Sequence, residues 1–344
     1  MEDAEKYLKS LKSNTKQIFL EDRGLTELPD LSRFTNLEML SCSRNKLTSL
    51  SMLKLNSKLK TLFCNQNNLT NLPELNDNLS HLMCQYNKLT CLPKLNKNLE
   101  YLDCSHNQIN ILPKLNNKLD TFDCGNNQIK FIPKLNNNLR RLCCSDNQLT
   151  ILPELNDNLW QLYCSSNELD NLPKLNNNSR QLYCGFNKLN KLPKLNDRLE
   201  NLNCMYNQLT YLPKLNDKLE ELRCDNNRLV ILPKLNNELK LLSYPNNFIF
   251  EIIENNNIYI YNNLIKDQDI IKTKLKNQKI FKFIYIFSSL KLKNWLCKKI
   301  KENKIKFKYQ YCSLKLSNWL YKKIKENKII NFSNKMITLD ELMG

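Results

Sequence analysis

From Leu59 to Asn247 the chain restates one short pattern with a period of 20 residues. One copy runs Leu99-Glu-Tyr-Leu102-Asp-Cys104-Ser-His-Asn107-Gln-Ile109-Asn-Ile-Leu112-Pro113-Lys-Leu115-Asn116. The next begins at Leu119, with Phe122, Cys124, Asn127, Ile129, Ile132, Pro133, Leu135 and Asn136 in the same places. A unit this small cannot bury an apolar face by itself, so the units must stack into a solenoid. Earlier units start at Thr15 and Leu37, each 22 residues before the next, and the step is then constant to Leu239, giving 12 starts. Arg23 stands where the repeat has Asn, and Ser179 where it has Leu.

Inside each unit the x-Leu-x-Cys-x piece alternates, which predicts a short strand with Leu and Cys facing inward. The strands then form one parallel sheet. The Asn that follows, at 45, 67, 87 and every 20 residues to 247, falls where the strand turns away. Its amide can satisfy backbone groups that the bend leaves without partners. The predicted ladder includes Cys104, Asn107, Cys124, Asn127, Cys144 and Asn147. Proline in Leu-Pro-x-Leu-Asn forbids an ordinary helix through the outer wall, so that side is expected to be extended or 3₁₀-like. Ahead of the first unit, Ala4, Tyr7, Leu8 and Leu11 share one helical face, and residues 1–14 read as a capping helix.

The pattern L-x-x-L-x-C-x-x-N-x-L-x-x-L-P resembles the leucine-rich repeat, with Cys where Leu is frequent. The Leu-Pro pair and the 20-residue length are similar to the short class found in secreted bacterial effectors, and to arrays in large viruses that infect amoebae. The resemblance covers residues 15–253. It implies an α/β solenoid, a curved leucine-rich-repeat array with a parallel concave sheet and a non-helical convex side. Some effector arrays of this kind carry a ubiquitin-ligase domain with a catalytic Cys. Neither cysteine of the tail, Cys297 or Cys312, has the Asp two residues on that such a nucleophile motif requires.

Residues 254–344 are read as a small, basic, α-rich region. Residues 248–344 hold 20 Lys/Arg against 8 Asp/Glu, a net of +12, whereas the longer remainder has a net of only +6. Ser289-Leu-Lys-Leu-Lys-Asn-Trp295 recurs 24 residues later as Ser313-Leu-Lys-Leu-Ser-Asn-Trp319. A lysine excess over an Asn- and Ile-rich composition is also what an AT-rich genome yields without selection for charge. The N-terminus starts acidic and lacks the apolar run of a signal peptide. The apolar segment 280–290 is interrupted by Lys282 and too short for a bilayer span, which takes about 20 residues. An intracellular, cytoplasmic protein is the expectation, in host cytoplasm if the chain is viral.

Ten of the 14 cysteines fill one repeat column. Parallel strands about 4.8 Å apart would permit a disulfide by distance, but every inner Cys has two equivalent neighbours, so no unique pairing is encoded. Free thiols packed as small apolar groups fit better. Catalysis finds little support. The two histidines, His81 and His106, fall in variable columns, and their spacing places them near each other in adjacent turns. With no Cys-x-x-Cys and only four glycines, no zinc ribbon or phosphate-binding loop is encoded. No cofactor and no metal is expected.

Recognition is therefore assigned to side chains flanking the inward Leu and Cys. Arg141, Trp160, Tyr163, Arg180, Tyr183, Phe186 and Tyr206 cluster there, and aromatic and Arg side chains are the types enriched at protein–protein hot spots. Acidic groups lie on both sides, Glu100, Asp103, Asp120 and Asp123 before, Glu200, Glu220 and Glu221 after. The expected protein is a monomeric, non-enzymatic scaffold that binds a protein partner on the concave face. The alternative is nucleic-acid or anionic-surface binding through the Lys- and aromatic-rich C-terminal region.

Overall fold

The computed structural model describes residues 2–50, 57–230 and 232–247, and the backbone of a last strand at 259–261. The 24-residue duplication, Cys297, Cys312 and the α-rich reading of 254–344 lie outside the described residues.

Among the described residues, thirteen short parallel strands form one sheet in strict sequence order. They are β1 Gln17–Phe19, β2 Met39–Ser41, β3 Thr61–Phe63, β4 His81–Met83, β5 Tyr101–Asp103, β6 Thr121–Asp123, β7 Arg141–Cys143, β8 Gln161–Tyr163, β9 Gln181–Tyr183, β10 Asn201–Asn203, β11 Glu221–Arg223, β12 Leu241–Ser243 and β13 Tyr259–Tyr261. Each strand pairs with the next in the register that the repeat dictates, as in Leu102↔Phe122 and Leu162↔Leu182. β13 adds a strand beyond the last 20-residue unit, pairing Leu242 with Ile260.

The central strand residue and the Cys that follows point inward and are fully buried, as at Leu102, Cys104, Phe122 and Cys124. All ten column cysteines are buried and free. Burial pushes their thiols well above the ordinary range, to about 12 at Cys42, because a thiolate in an apolar stack loses its hydration. Several thiols donate to the next turn, Cys104 Sγ to the Asp123 carbonyl at 3.4 Å among them.

The asparagine ladder forms. Asn127 Nδ2 donates to the carbonyls of Cys104, Cys124 and Gly125, each at 3.1 Å. Asn107 and Asn147 repeat the arrangement. A second ladder runs along the outer wall, which the sequence reading did not anticipate. There Asn116 Nδ2 donates to the carbonyls of Asn96 at 2.6 Å and Leu99 at 2.8 Å, and Asn156, Asn176, Asn196 and Asn216 do the same one turn at a time. Ser179 sits buried in the leucine column and donates its hydroxyl to Asn176 Oδ1 at 3.1 Å.

The only α-helix among the described residues is α1, Glu2–Ser10. It buries Ala4 and Leu8 against the first turn, with Tyr7 and Leu11 packed beside them. Arg23, in place of the usual Asn, lays its guanidinium over the Tyr7 ring at 4.8 Å. Arg33 donates to the carbonyls of Leu8 and Leu11, satisfying acceptors that a helix C-terminus leaves open. The outer wall is non-helical, as proline requires. The backbones of Cys91 and Ile111 even pair there as an isolated parallel bridge.

Candidate interaction face

Strand geometry sends the residues on either side of each buried Leu to the open face of the sheet. On β8 and β9 this places Gln161 beside Gln181 and Tyr163 beside Tyr183. The two tyrosine rings stack with centroids 4.8 Å apart. Tyr163 donates its hydroxyl to Gln181 Oε1 at 2.6 Å, and Gln161 Nε2 donates to the same oxygen at 2.7 Å. Arg141 lies over the Tyr163 ring at 5.5 Å. Partial burial raises the pKa of both tyrosines, so both hydroxyls remain protonated at neutral pH. The patch is pre-organised, because its side chains are already held in one arrangement by each other. Trp160, on the residue preceding β8, keeps 36% of its surface exposed.

The remaining residues of the expected site separate from this group. Arg180 turns to Glu200 in an ion pair of 3.0 Å; outside the expected set, Arg140 beside Arg141 pairs with Asp120 at 3.4 Å. Phe186 and Tyr206 form their own stack, 4.3 Å between centroids, on the bend that follows the sheet.

That bend is a feature sequence reasoning missed. Among the described residues, twelve non-glycine residues, one per turn from Asp22 to Asn246, have φ between 50° and 57°, a left-handed conformation that L residues rarely adopt. Only five of them are Asn or Asp, the types that tolerate it best; Tyr86, His106, Phe186 and Tyr206 also occupy it. The bend aims these rings along the stack, so Tyr86 and His106 meet at 4.1 Å. His81 instead stacks on Tyr101 at 6.1 Å. The two histidines therefore have different tyrosine partners.

Toward the earlier turns the face is acidic. Asp123 is half-buried, and desolvation raises its carboxyl pKa, helped by Asp103 beside it and opposed by the Gly125 N–H. An open cleft of about 410 Å³ is lined by His81, Glu100, Tyr101, Asp120, Arg140 and their neighbours. Among the described residues no three His, Cys, Asp or Glu side chains converge to hold a metal ion, and no helix is long and apolar enough to cross a membrane.

The in-register parallel stack, the buried Leu and Cys columns and the asparagine ladder define a solenoid class: the chain is a leucine-rich repeat protein. Its repeats of about 20 residues resemble those of bacterial effector leucine-rich-repeat domains. YopM of Yersinia pestis, a leucine-rich effector protein, is similar at 32% identity and a TM-score of 0.59, over 71% of this chain and 65% of that one. YopM from Yersinia enterocolitica is similar at 29% identity and a TM-score of 0.58, over 76% of this chain and 67% of that one. A leucine-rich-repeat protein of Leptospira interrogans matches at 26% identity and a TM-score of 0.52, over 75% of this chain and 81% of that one. The chain thus spans about two thirds of the length of the YopM structures. No family model matches the sequence, and no curated protein does.

Proposed function

We propose that this protein is a non-enzymatic scaffold that binds a protein partner on the open face of its sheet, centred on Tyr163 and Tyr183. One observation carries the reading: two stacked tyrosines, an Arg and two glutamines hold one another in place on an otherwise regular surface. Aromatic groups fixed in advance give up little conformational entropy when a partner docks. Arg141 and Trp160 complete the anchor region. Arg180, Phe186 and Tyr206 belong to its rim, Arg180 because Glu200 already occupies it. The acidic side chains toward the earlier turns favour a partner with basic residues beside its apolar centre. The leucine-rich-repeat fold and the effector relatives support a protein partner in general terms.

Proximity labelling in the native host cell identifies candidate partners, and pull-downs compare the intact chain with a Tyr163→Ala/Tyr183→Ala form. Selective loss of a partner from the double variant supports the site. Recovery of every partner by both forms removes it.

A further inference from the structure

The outer wall carries a second surface, distinct from the sheet face in position and in charge. Ile111, Phe131 and Ile151 occupy one column in consecutive turns and are 73%, 66% and 53% exposed. Exposed Cys91 begins that column. Isolated exposed apolar residues are ordinary, but an unbroken row of them is not.

Charge singles out the turns of Cys91, Ile111 and Phe131 and excludes that of Ile151. Between the strands, segments 86–99, 105–119 and 125–139 contain seven lysines (Lys88, Lys94, Lys97, Lys114, Lys118, Lys130, Lys134) and no Asp or Glu. All seven are exposed. Lys97 pairs with Asp77 at 3.6 Å, and the others form no ion pair among the described residues. The segments on either side reverse the sign: 65–79 holds Glu74 and Asp77, and 145–159 holds Asp146, Glu154 and Asp157, neither with any lysine. Lys88 and Lys130 precede the apolar column in their turns, whereas Lys94, Lys114 and Lys134 follow it. Lysine therefore follows the row at the same place in all three turns, and precedes it in two of them.

We infer that this row, Cys91–Ile111–Phe131 with the lysines beside it, is a docking strip for an acidic amphipathic helix of a partner protein. Successive turns of the solenoid are about 4.8 Å apart, close to the helix pitch of about 5.4 Å. A helix lying along the solenoid axis can thus set one apolar residue against each member of the row. Its acidic side chains then meet the lysines beside the row, Lys94, Lys114 and Lys134 first. A planar anionic membrane fits less well, because the bracketing acidic segments would be driven against the headgroups. Nucleic acid fits less well again, since Cys91 and Ile111 offer no ring for bases to stack on.

The test uses the full chain and a fluorescent synthetic peptide of about 16 residues, Leu at i, i+4, i+7 and i+11 and mostly Glu elsewhere. Saturable binding at low salt is expected. Ile111→Ser/Phe131→Ser and, separately, Lys114→Glu/Lys134→Glu should each weaken it about tenfold or more, losing apolar burial and charge pairing respectively. These side chains are exposed, and an unchanged melting temperature confirms folding. Tyr163→Ala/Tyr183→Ala should bind the peptide like wild type, which keeps this result independent of the sheet-face site. Equal binding of a scrambled peptide of the same composition overturns the proposal, as does equal binding by either wall variant. Tighter capture of phosphatidylserine vesicles or an RNA oligonucleotide than of the peptide, with the same variant sensitivity, reassigns the wall and overturns it too.

Discussion

The backbone N–H of Ile109 donates to Asn127 Oδ1 at 2.9 Å, 18 residues further along the chain. The same amide group, through Nδ2, also binds carbonyls of its own turn and of the preceding one. A single side chain thus satisfies the bend of two turns at once. Asn127→Ala should lower stability by about 1–3 kcal/mol, the cost of leaving buried backbone groups unpaired. Urea unfolding followed by circular dichroism measures it, and a change within error would remove the ladder from the account of stability.

Ser179 tests the leucine column from the other side. It is buried between turns whose equivalent residues, Leu159 and Leu199, are also buried. Ser179→Leu should raise stability by ~1–2 kcal/mol through added apolar burial, less the lost hydroxyl bond to Asn176. A lower unfolding midpoint would mean that the turn has closed around the smaller side chain.

Thiol chemistry should divide the cysteines. Thiolate is the reactive form, and burial disfavours it throughout the column, Cys124 being fully buried. Under native conditions, alkylation read by peptide mass spectrometry should mark exposed Cys91 and spare Cys42 through Cys224 in the column. Cys143, on the open face with its thiol pushed up to about 12 by desolvation and by Asp123, should react slowly. Rapid labelling of Cys124 in the folded chain would contradict the stack.

Asp123 gives a pH signature. Its folded pKa lies above the ordinary 3.8, chiefly through desolvation. The stability linked to its protonated form is complete below 3.8 and is lost as pH rises through the folded value. Asp123→Asn should therefore melt higher than wild type at neutral pH, and the gap should close as pH falls toward 3.8. A gap independent of pH would point to packing instead.

The half-buried Glu38 behaves oppositely. It pairs with Lys60 at 2.8 Å and Lys16 at 2.9 Å, and those bonds hold its carboxyl at about 2 against an ordinary 4.5. Its contribution is present above 4.5 and fades as pH drops toward 2. Titration followed by carboxyl NMR shifts should place Glu38 well below the ordinary 4.5, and Lys60→Gln should move it upward.

By itself the sequence determined what repeats. A 20-residue period, a Leu and a Cys on one side of a strand, an Asn at the bend and a proline in the wall suffice to derive a parallel solenoid, its core and its first ladder. Each of those positions faces an equivalent copy of itself, so the column alone specifies the contact. Only the tertiary structure decided what happens in the variable columns. Arg180 and Tyr183 are equally plausible anchors on paper, yet Glu200 takes up the first and Tyr163 stacks on the second. The second asparagine ladder and the left-handed bend under Phe186 and Tyr206 were hidden for a related reason. Their geometry is set by hydrogen bonds to the neighbouring turn, between residues about 20 apart that meet only after stacking. The apolar row on the wall, with lysines beside it, likewise exists only once residues 91, 111 and 131 lie side by side.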